Sequence, residues 1–180
     1  MALLVVSCSL NSESRSRILA EKAHARLAAQ GADAVFLDLR EYNLPLCDGE
    51  TAYSAPGVAE IKQLIEDAPG ILVATPIYNY GVSASAKNLL ELTGGAWEEK
   101  FAGFLCAAGG RSSYMGVMGF ASSLMLDYHC VILPRIVYAH EQQFDDERLT
   151  DKAVDARIDA LTAMLIRFTN ALQPAPKQAP

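Results

Sequence analysis

Apolar residues follow two rhythms along this chain, and their alternation predicts its architecture. Short apolar runs, Leu3 to Ser7, Ala34 to Leu39, Gly70 to Thr75, Phe101 to Ala108 and Val131 to Val137, have the length of buried strands. Between them lie segments with helical spacing. In Ser14 to Gln30, Leu19, Ala23 and Leu27 share one face, and Gly31 supplies a stop. Pro56-Gly57 opens a second helix through Glu66, Val82 to Thr93 makes a third that Gly94-Gly95 ends, and Met115 to Tyr128 makes a fourth. After an acidic loop, Val154, Ile158, Leu161, Leu165, Phe168 and Leu172 recur at three and four, the mark of a long amphipathic helix. Arg40 to Pro56, with Pro45 and Gly49, is a long irregular connection of the kind that carries function or motion. One domain over residues 1–172 is expected, with a flexible Pro/Ala tail over 173–180.

Five strands separated by helices imply a parallel sheet with right-handed crossovers and helices on both faces. Such sheets bind ligands beyond the carboxyl ends of their strands. The loops after the first, third and fourth strands are therefore the informative ones. All three are polar, and together they predict one site.

The first of these loops, Ser7-Cys8-Ser9-Leu10-Asn11-Ser12-Glu13-Ser14-Arg15-Ser16, runs from a buried strand into a helix start. Helix N-termini have unpaired N–H groups and a partial positive charge, so hydroxyls and an arginine placed there can hold a phosphate. Neither G-x-x-x-x-G-K-[ST] nor G-x-G-x-x-G is present, which disfavours a nucleoside triphosphate or a dinucleotide pyrophosphate. Ser9, Asn11, Ser14 and Ser16 are candidate donors to a terminal phosphate, with Arg15 supplying charge. The structural alternative is that Ser14 or Ser12 only caps the helix.

The loop after the third strand, Thr75-Pro76-Ile77-Tyr78-Asn79-Tyr80-Gly81-Val82-Ser83, offers aromatic faces and an amide that suit a flat heterocycle. Pro76 fixes the backbone on the way in. The loop after the fourth strand, Gly109-Gly110-Arg111-Ser112-Ser113-Tyr114, lets backbone N–H groups approach a carbonyl-edged ring, with Arg111 opposing negative charge. Each loop taken singly is also readable as an ordinary turn. Phosphate donors, aromatic flank and glycine edge together match flavin mononucleotide.

Composition narrows the class. At 180 residues, 51% apolar and 20% charged, the chain suits a compact enzyme or carrier. Its apolar runs are far short of the ~20 residues of a spanning helix, and no basic n-region precedes the first strand, so a cytoplasmic location without membrane contact is expected. A net charge of −6 gives no basic patch for nucleic acid. Cys8, Cys47, Cys106 and Cys130 lack C-x-x-C spacing and read as structural thiols. His24, His129 and His140 lack metal-ligand spacing, and they and Lys87 read as structural or solvated.

Ser9 to Ser16 is similar to the S-x-R-x-x-S-x-[SN] loop of the NADPH-dependent FMN reductases. Pro76-Ile77-Tyr78-Asn79 followed by Lys87-Asn88 resembles that family's P-x-Y-N and K-N pair. The resemblance spans Met1 to Val137. It implies a flavodoxin-like three-layer sandwich with strand order 2-1-3-4-5, and an enzyme passing a hydride from NADPH or NADH through FMN to a free flavin, quinone or similar acceptor by ping-pong turnover. No catalytic side chain is then required, because the flavin carries the chemistry. It also implies a homodimer or homotetramer. The third helix, with Leu89, Leu90, Leu92, Ala84 and Ala86, is apolar on more than one face and is the expected interface. Two positions depart from the family: Asn11 stands where it often has arginine, shifting the charge to Arg15, and Ile77 stands where many relatives have glutamate.

An FMN electron carrier that reacts only with protein partners is the alternative from another class. Carriers are more acidic than this chain and lack the P-x-Y-N loop. If Arg15 holds the phosphate, Arg15→Ala should weaken FMN about ten- to a hundredfold, since a hydrogen bond to a charged group contributes about 1.5–3 kcal/mol. Riboflavin, which has no phosphate, should bind both proteins alike in a fluorescence titration.

Overall fold

A computed structural model describes residues 1–145 and 148–172 of the chain. Its elements follow the expected alternation: β1 (Leu3–Ser7), α1 (Arg15–Ala29), β2 (Ala34–Asp38), α2 (Val58–Asp67), β3 (Gly70–Tyr78), β4 (Gly81–Val82), α3 (Ala84–Thr93) and β5 (Phe101–Ala108). Then come α4 (Met118–Tyr128), β6 (Val131–Ile132), β7 (Val137–His140), β8 (Phe144–Asp145), β9 (Arg148–Leu149) and α5 (Lys152–Ala171). The tail expected over 173–180 lies outside the described residues.

The main sheet is ordered β2-β1-β3-β5, with β6 and β7 both parallel to β5 at its far edge. This is the flavodoxin-like order expected from the sequence, with the fifth strand in two pieces. Pro134 explains the break, because it has no N–H to offer the ladder and its ring fixes the local backbone. Ile132 pairs with Ala102, and pairing resumes only where Val137 meets Leu105.

Alternating side chains of β1 feed two cores. Leu3 and Val5 pack with Leu19, Leu27, Ile158 and Leu161 under α1 and α5, while Leu4 and Val6 pack with Ile61, Leu89, Phe120 and Leu124 under α2, α3 and α4. Burying a side chain of this kind contributes about 1.5–3 kcal/mol, so a strand covered on both faces is held from both sides. α5 sits so close that a Cβ at Gly103 would lie 2.8 Å from Leu72 Cδ2 and 3.0 Å from Leu161 Cδ1.

Three local differences from the sequence reading have clear causes. β3 continues through Pro76 to Tyr78 and turns back at once into β4, so Val82 belongs to a hairpin and α3 starts at Ala84 behind its cap Ser83. Asn79 (φ 49°) and Tyr80 (φ 66°) both take left-handed backbone, the pattern of a two-residue type I′ turn. Residues Tyr114–Val117 form a separate 3-10 turn ahead of α4. The third difference concerns α3: Leu89, Leu90, Leu92 and Ala86 are all buried within the chain. The Arg40–Pro56 connection covers the surplus apolar face, with Leu92 packed against Ala52 and Val58. The expected α3 interface therefore loses its apolar basis.

Asn88 fastens that connection. Its amide donates to Pro45 O at 2.8 Å and its Oδ1 accepts from Cys47 N at 2.8 Å, so one buried side chain replaces a ladder for an irregular segment. Asn88→Ala leaves both backbone groups unmatched. We expect an unfolding free energy lower by about 1–3 kcal/mol in a urea titration and faster proteolytic nicking between Arg40 and Pro56.

Candidate functional site

The loops that follow β1, β3 and β5 meet at one edge of the sheet. A cleft of about 300 Å³ is lined by Ser9, Asn11, Glu13, Ser14, Arg15 and Ser16 from the first loop, Pro76, Ile77 and Tyr78 from the second, and Ala107, Ala108 and Gly109 from the third. Nine of the residues singled out in the sequence are thus brought together. Asn79, Tyr80, Gly110, Arg111 and Ser112 stand exposed beyond its lining, on the hairpin turn and the glycine loop. A larger cleft of about 700 Å³ lies on the outer side of the first loop, against Arg17, Ile18 and Glu21. It meets neither of the other loops, so the smaller cleft is the one with the chemistry of a site.

The first loop is built as both cap and cradle. Ser14 caps α1, its Oγ accepting from Arg17 N at 3.2 Å and lying 3.0 Å from Ser16 Oγ. Asn11 N donates to Ser9 Oγ, and Asn11 Oδ1 accepts from Glu13 N. Hydroxyls, helix N-terminus and Arg15 therefore converge, and this donor set fits a phosphate. The capping role of Ser14 and the phosphate role are compatible, because the hydroxyl accepts in the first and donates in the second.

A chain of hydroxyls fixes this loop to the aromatic hairpin. Ser85 Oγ donates to Cys8 O, Ser83 Oγ lies 2.9 Å from Ser85 Oγ, and Thr75 Oγ1 lies 3.2 Å from Ser83 Oγ. With Ser85 committed as a donor, Ser83 donates to it, while Thr75 Oγ1 accepts from Ser83 N at 3.2 Å and has both Ser83 Oγ and Pro76 O within reach of its one proton. Gly116 then docks the third loop on the second: a Cβ there would lie 2.8 Å from Ile77 Cγ2 and 3.0 Å from Tyr80 C. The glycines of the third loop behave differently. A Cβ on Gly109 or Gly110 would meet nothing within 4 Å, so the Cα side of both is open, while Gly110 O accepts from Tyr138 Oη. That open side beside the cleft fits the polar edge of a planar ring.

The charged groups of the site have partners that sequence reading missed. Arg15 Nη2 lies 2.9 Å from Glu141 Oε1. Arg111 Nε donates to His140 Nε2 at 3.2 Å, so the buried His140 holds an arginine rather than standing solvated. His140 also begins the turn that follows, its backbone N donating to Gln143 Oε1 at 3.0 Å. Asp38, at the end of β2, is buried between Arg17 and Arg40 at 2.9 and 2.7 Å. Burial pushes its carboxyl up, but the hydrogen bonds and charge of Arg40 and the charge of Arg17 outweigh that and hold it below the ordinary carboxylate value. Arg40 also donates to Ser12 O, which steadies the first loop. Apart from the local Asp38–Arg40 pair, these contacts join residues at least 21 positions apart, and no local motif announces them.

The remaining sequence candidates have structural roles. Lys87 pairs with Glu91 on the surface of α3, and His24 bonds to Ala34 O and packs edge-on against Phe36. Burial pushes the Cys106 thiol up to about 12 and Cys130 up to about 11, and Cys8 higher still, so these three are inert thiols. Among the described residues no cluster of His, Cys, Asp or Glu is arranged to hold a metal, and no helix is long and apolar enough to cross a membrane.

Comparison with known proteins identifies the family. Residues 1–145 match the family described as NADPH-dependent FMN reductase. The chain is 26% identical over 167 residues to an NAD(P)H-dependent FAD/FMN reductase of Geobacillus thermodenitrificans, covering 89% of each chain. It is 31% identical over 156 residues to an NADPH:quinone oxidoreductase of Arabidopsis thaliana, covering 79% of this chain and 78% of that one. In fold it resembles an NADH:FMN oxidoreductase solved in its apo form, with a TM-score of 0.78 at 20% identity over 97% of this chain and 91% of the other. The chain belongs to the NADPH-dependent FMN reductase family, and is a flavodoxin-like oxidoreductase with FMN and NAD(P)H as its cofactors.

Proposed function

We propose that the chain reduces a small, flat acceptor such as a quinone or free flavin, with FMN held in the cleft between the three loops. The observation that carries this reading is the cleft itself: phosphate donors, an aromatic hairpin and an open glycine backbone line or border one space. FMN held there would supply the two-electron chemistry between NAD(P)H and the acceptor. Ser9, Asn11, Ser14, Ser16 and Arg15 with the N-terminus of α1 hold its phosphate. Pro76 and Ile77 form the apolar wall, and Tyr78, Asn79 and Tyr80 flank the ring. Gly109, Gly110, Arg111 and Ser112 face its carbonyl edge, where N–H donors and a cation stabilise the negative charge of the reduced state. No side-chain acid or nucleophile is assigned. Residues 1–172 act as one FMN-binding unit, in the cytoplasm, where NAD(P)H is available.

The oligomer proposed from the family resemblance needs a different surface from α3. Tyr78, Tyr80, Tyr114 and Met115 are between two-fifths and three-fifths exposed, and all belong to the loops beside the cleft. A second copy seated there in a homodimer or homotetramer would bury this apolar rim and complete the wall of the site.

Anaerobic mixing with NADPH, or with NADH, should bleach the flavin band of the FMN-loaded protein in one phase with no reductase protein added. Steady-state turnover with a quinone should give parallel double-reciprocal lines. No bleaching within minutes with either nicotinamide would replace this reading with the electron carrier. Light scattering at micromolar concentration should report a mass above the 19.4 kDa of one chain. Dilution below the dissociation range should weaken FMN, and a single-chain mass throughout would remove the shared wall.

A further inference from the structure

One short segment holds both arginines of the site. β7 ends at His140, which accepts from Arg111 Nε, and the next residue, Glu141, pairs with Arg15 at 2.9 Å. Arg111 belongs to the glycine loop and Arg15 to the phosphate loop of the proposed FMN site, so the turn after β7 contacts a charged group from each. Gln143 fastens the turn: its Oε1 accepts from His140 N at 3.0 Å, and its Nε2 donates at 2.7 Å to Asp151, the cap of α5. Glu141 is therefore presented to Arg15 from an anchored backbone.

Charge makes this pairing consequential. Arg15 is the single cation among the described residues lining the smaller cleft, which already contains the carboxylate of Glu13, and Asn11 adds no charge. Arg17 and Arg40 are committed to Asp38. An entering phosphate thus finds one guanidinium, already matched to a carboxylate on a bond of 2.9 Å. Phosphate and Glu141 are both anions, and both require Arg15.

We propose that Glu141 is a positioning residue that competes with the cofactor phosphate for Arg15 and so sets how tightly FMN is retained. This rests on the reading of Arg15 as the phosphate's charge partner. When FMN binds, its phosphate takes the Arg15 guanidinium and the Glu141 carboxylate turns out to water, which its exposure of 59% permits. When FMN leaves, Glu141 returns and the arginine is never left unpaired. The carboxylate therefore lowers FMN affinity and favours release, while riboflavin, which brings no charge to Arg15, is indifferent to it.

The test uses the full chain as wild type, Glu141→Gln, Glu141→Asp, Arg15→Ala and the Arg15→Ala/Glu141→Gln double variant. Each is titrated with FMN and with riboflavin by flavin fluorescence at low salt and at 0.3 M KCl. Freeing Arg15 from its competing carboxylate should tighten FMN about three- to tenfold in Glu141→Gln, with riboflavin changed less than about twofold. The gain should shrink in high salt and vanish in the Arg15→Ala background, and Glu141→Asp should stay near wild type. An unchanged or weaker FMN affinity in Glu141→Gln, or a parallel shift for riboflavin, overturns the proposal. If Arg15→Ala alone leaves FMN affinity unchanged, the phosphate assignment itself is wrong, a distinct result that also overturns the proposal.

Discussion

A parallel strand can be re-entered only from the end at which its neighbour began, so each connection among β1, β2, β3 and β5 crosses back over a face, the short β3–β4 hairpin apart. Two consequences follow together. Both faces are sealed by helices, which makes β1, β3 and β5 apolar almost throughout, and each of these parallel strands delivers its carboxyl end to the same edge. Polar loops can occur in quantity only at that edge or at the opposite one. The side of the sheet where the phosphate donors, the aromatic hairpin and the open glycines meet is thus fixed by topology before any side chain is chosen.

Topology alone leaves the loops free to move against one another, and a small number of buried polar contacts remove that freedom. The hydroxyls of Thr75, Ser83 and Ser85 run without a gap to the carbonyl of Cys8, so the start of the first loop and the base of the hairpin move as one piece. Each of these bonds contributes only about 0.5–1.5 kcal/mol net, yet leaving one such group buried and unmatched costs about 1–3 kcal/mol. Precision at the site therefore comes from the penalty for disorder more than from the strength of any bond. The close seat of Gly116 on Ile77 and Tyr80 does the same by packing.

The strands, helices and three loops were legible in the sequence because each is written in a local pattern: an apolar run, a three-four spacing, a glycine stop. What was not legible is written between distant residues. Arg15 and Glu141 are 126 positions apart, Arg111 and His140 are 29 apart, and nothing near either arginine announces its partner. The surplus apolar face of α3 pointed to another subunit because the cover supplied by the Arg40–Pro56 connection, tied down by one asparagine, has no periodic signature. The hairpin at Asn79 and Tyr80 was hidden for a different reason. Type I′ turns favour glycine at the second central position, and here a tyrosine takes the left-handed backbone, with the glycine one residue later.

The division of the last strand at Pro134 reaches beyond the fold itself. β6 and β7 form one margin of the sheet, and a margin of free N–H and C=O groups is a template onto which a neighbouring molecule can add a strand. Here the margin is two short pieces of two and four residues, separated by a segment that includes Pro134, which cannot donate. An incoming strand would find no continuous ladder to extend. The same proline that interrupts the sheet thus leaves this edge a poor template for an added strand.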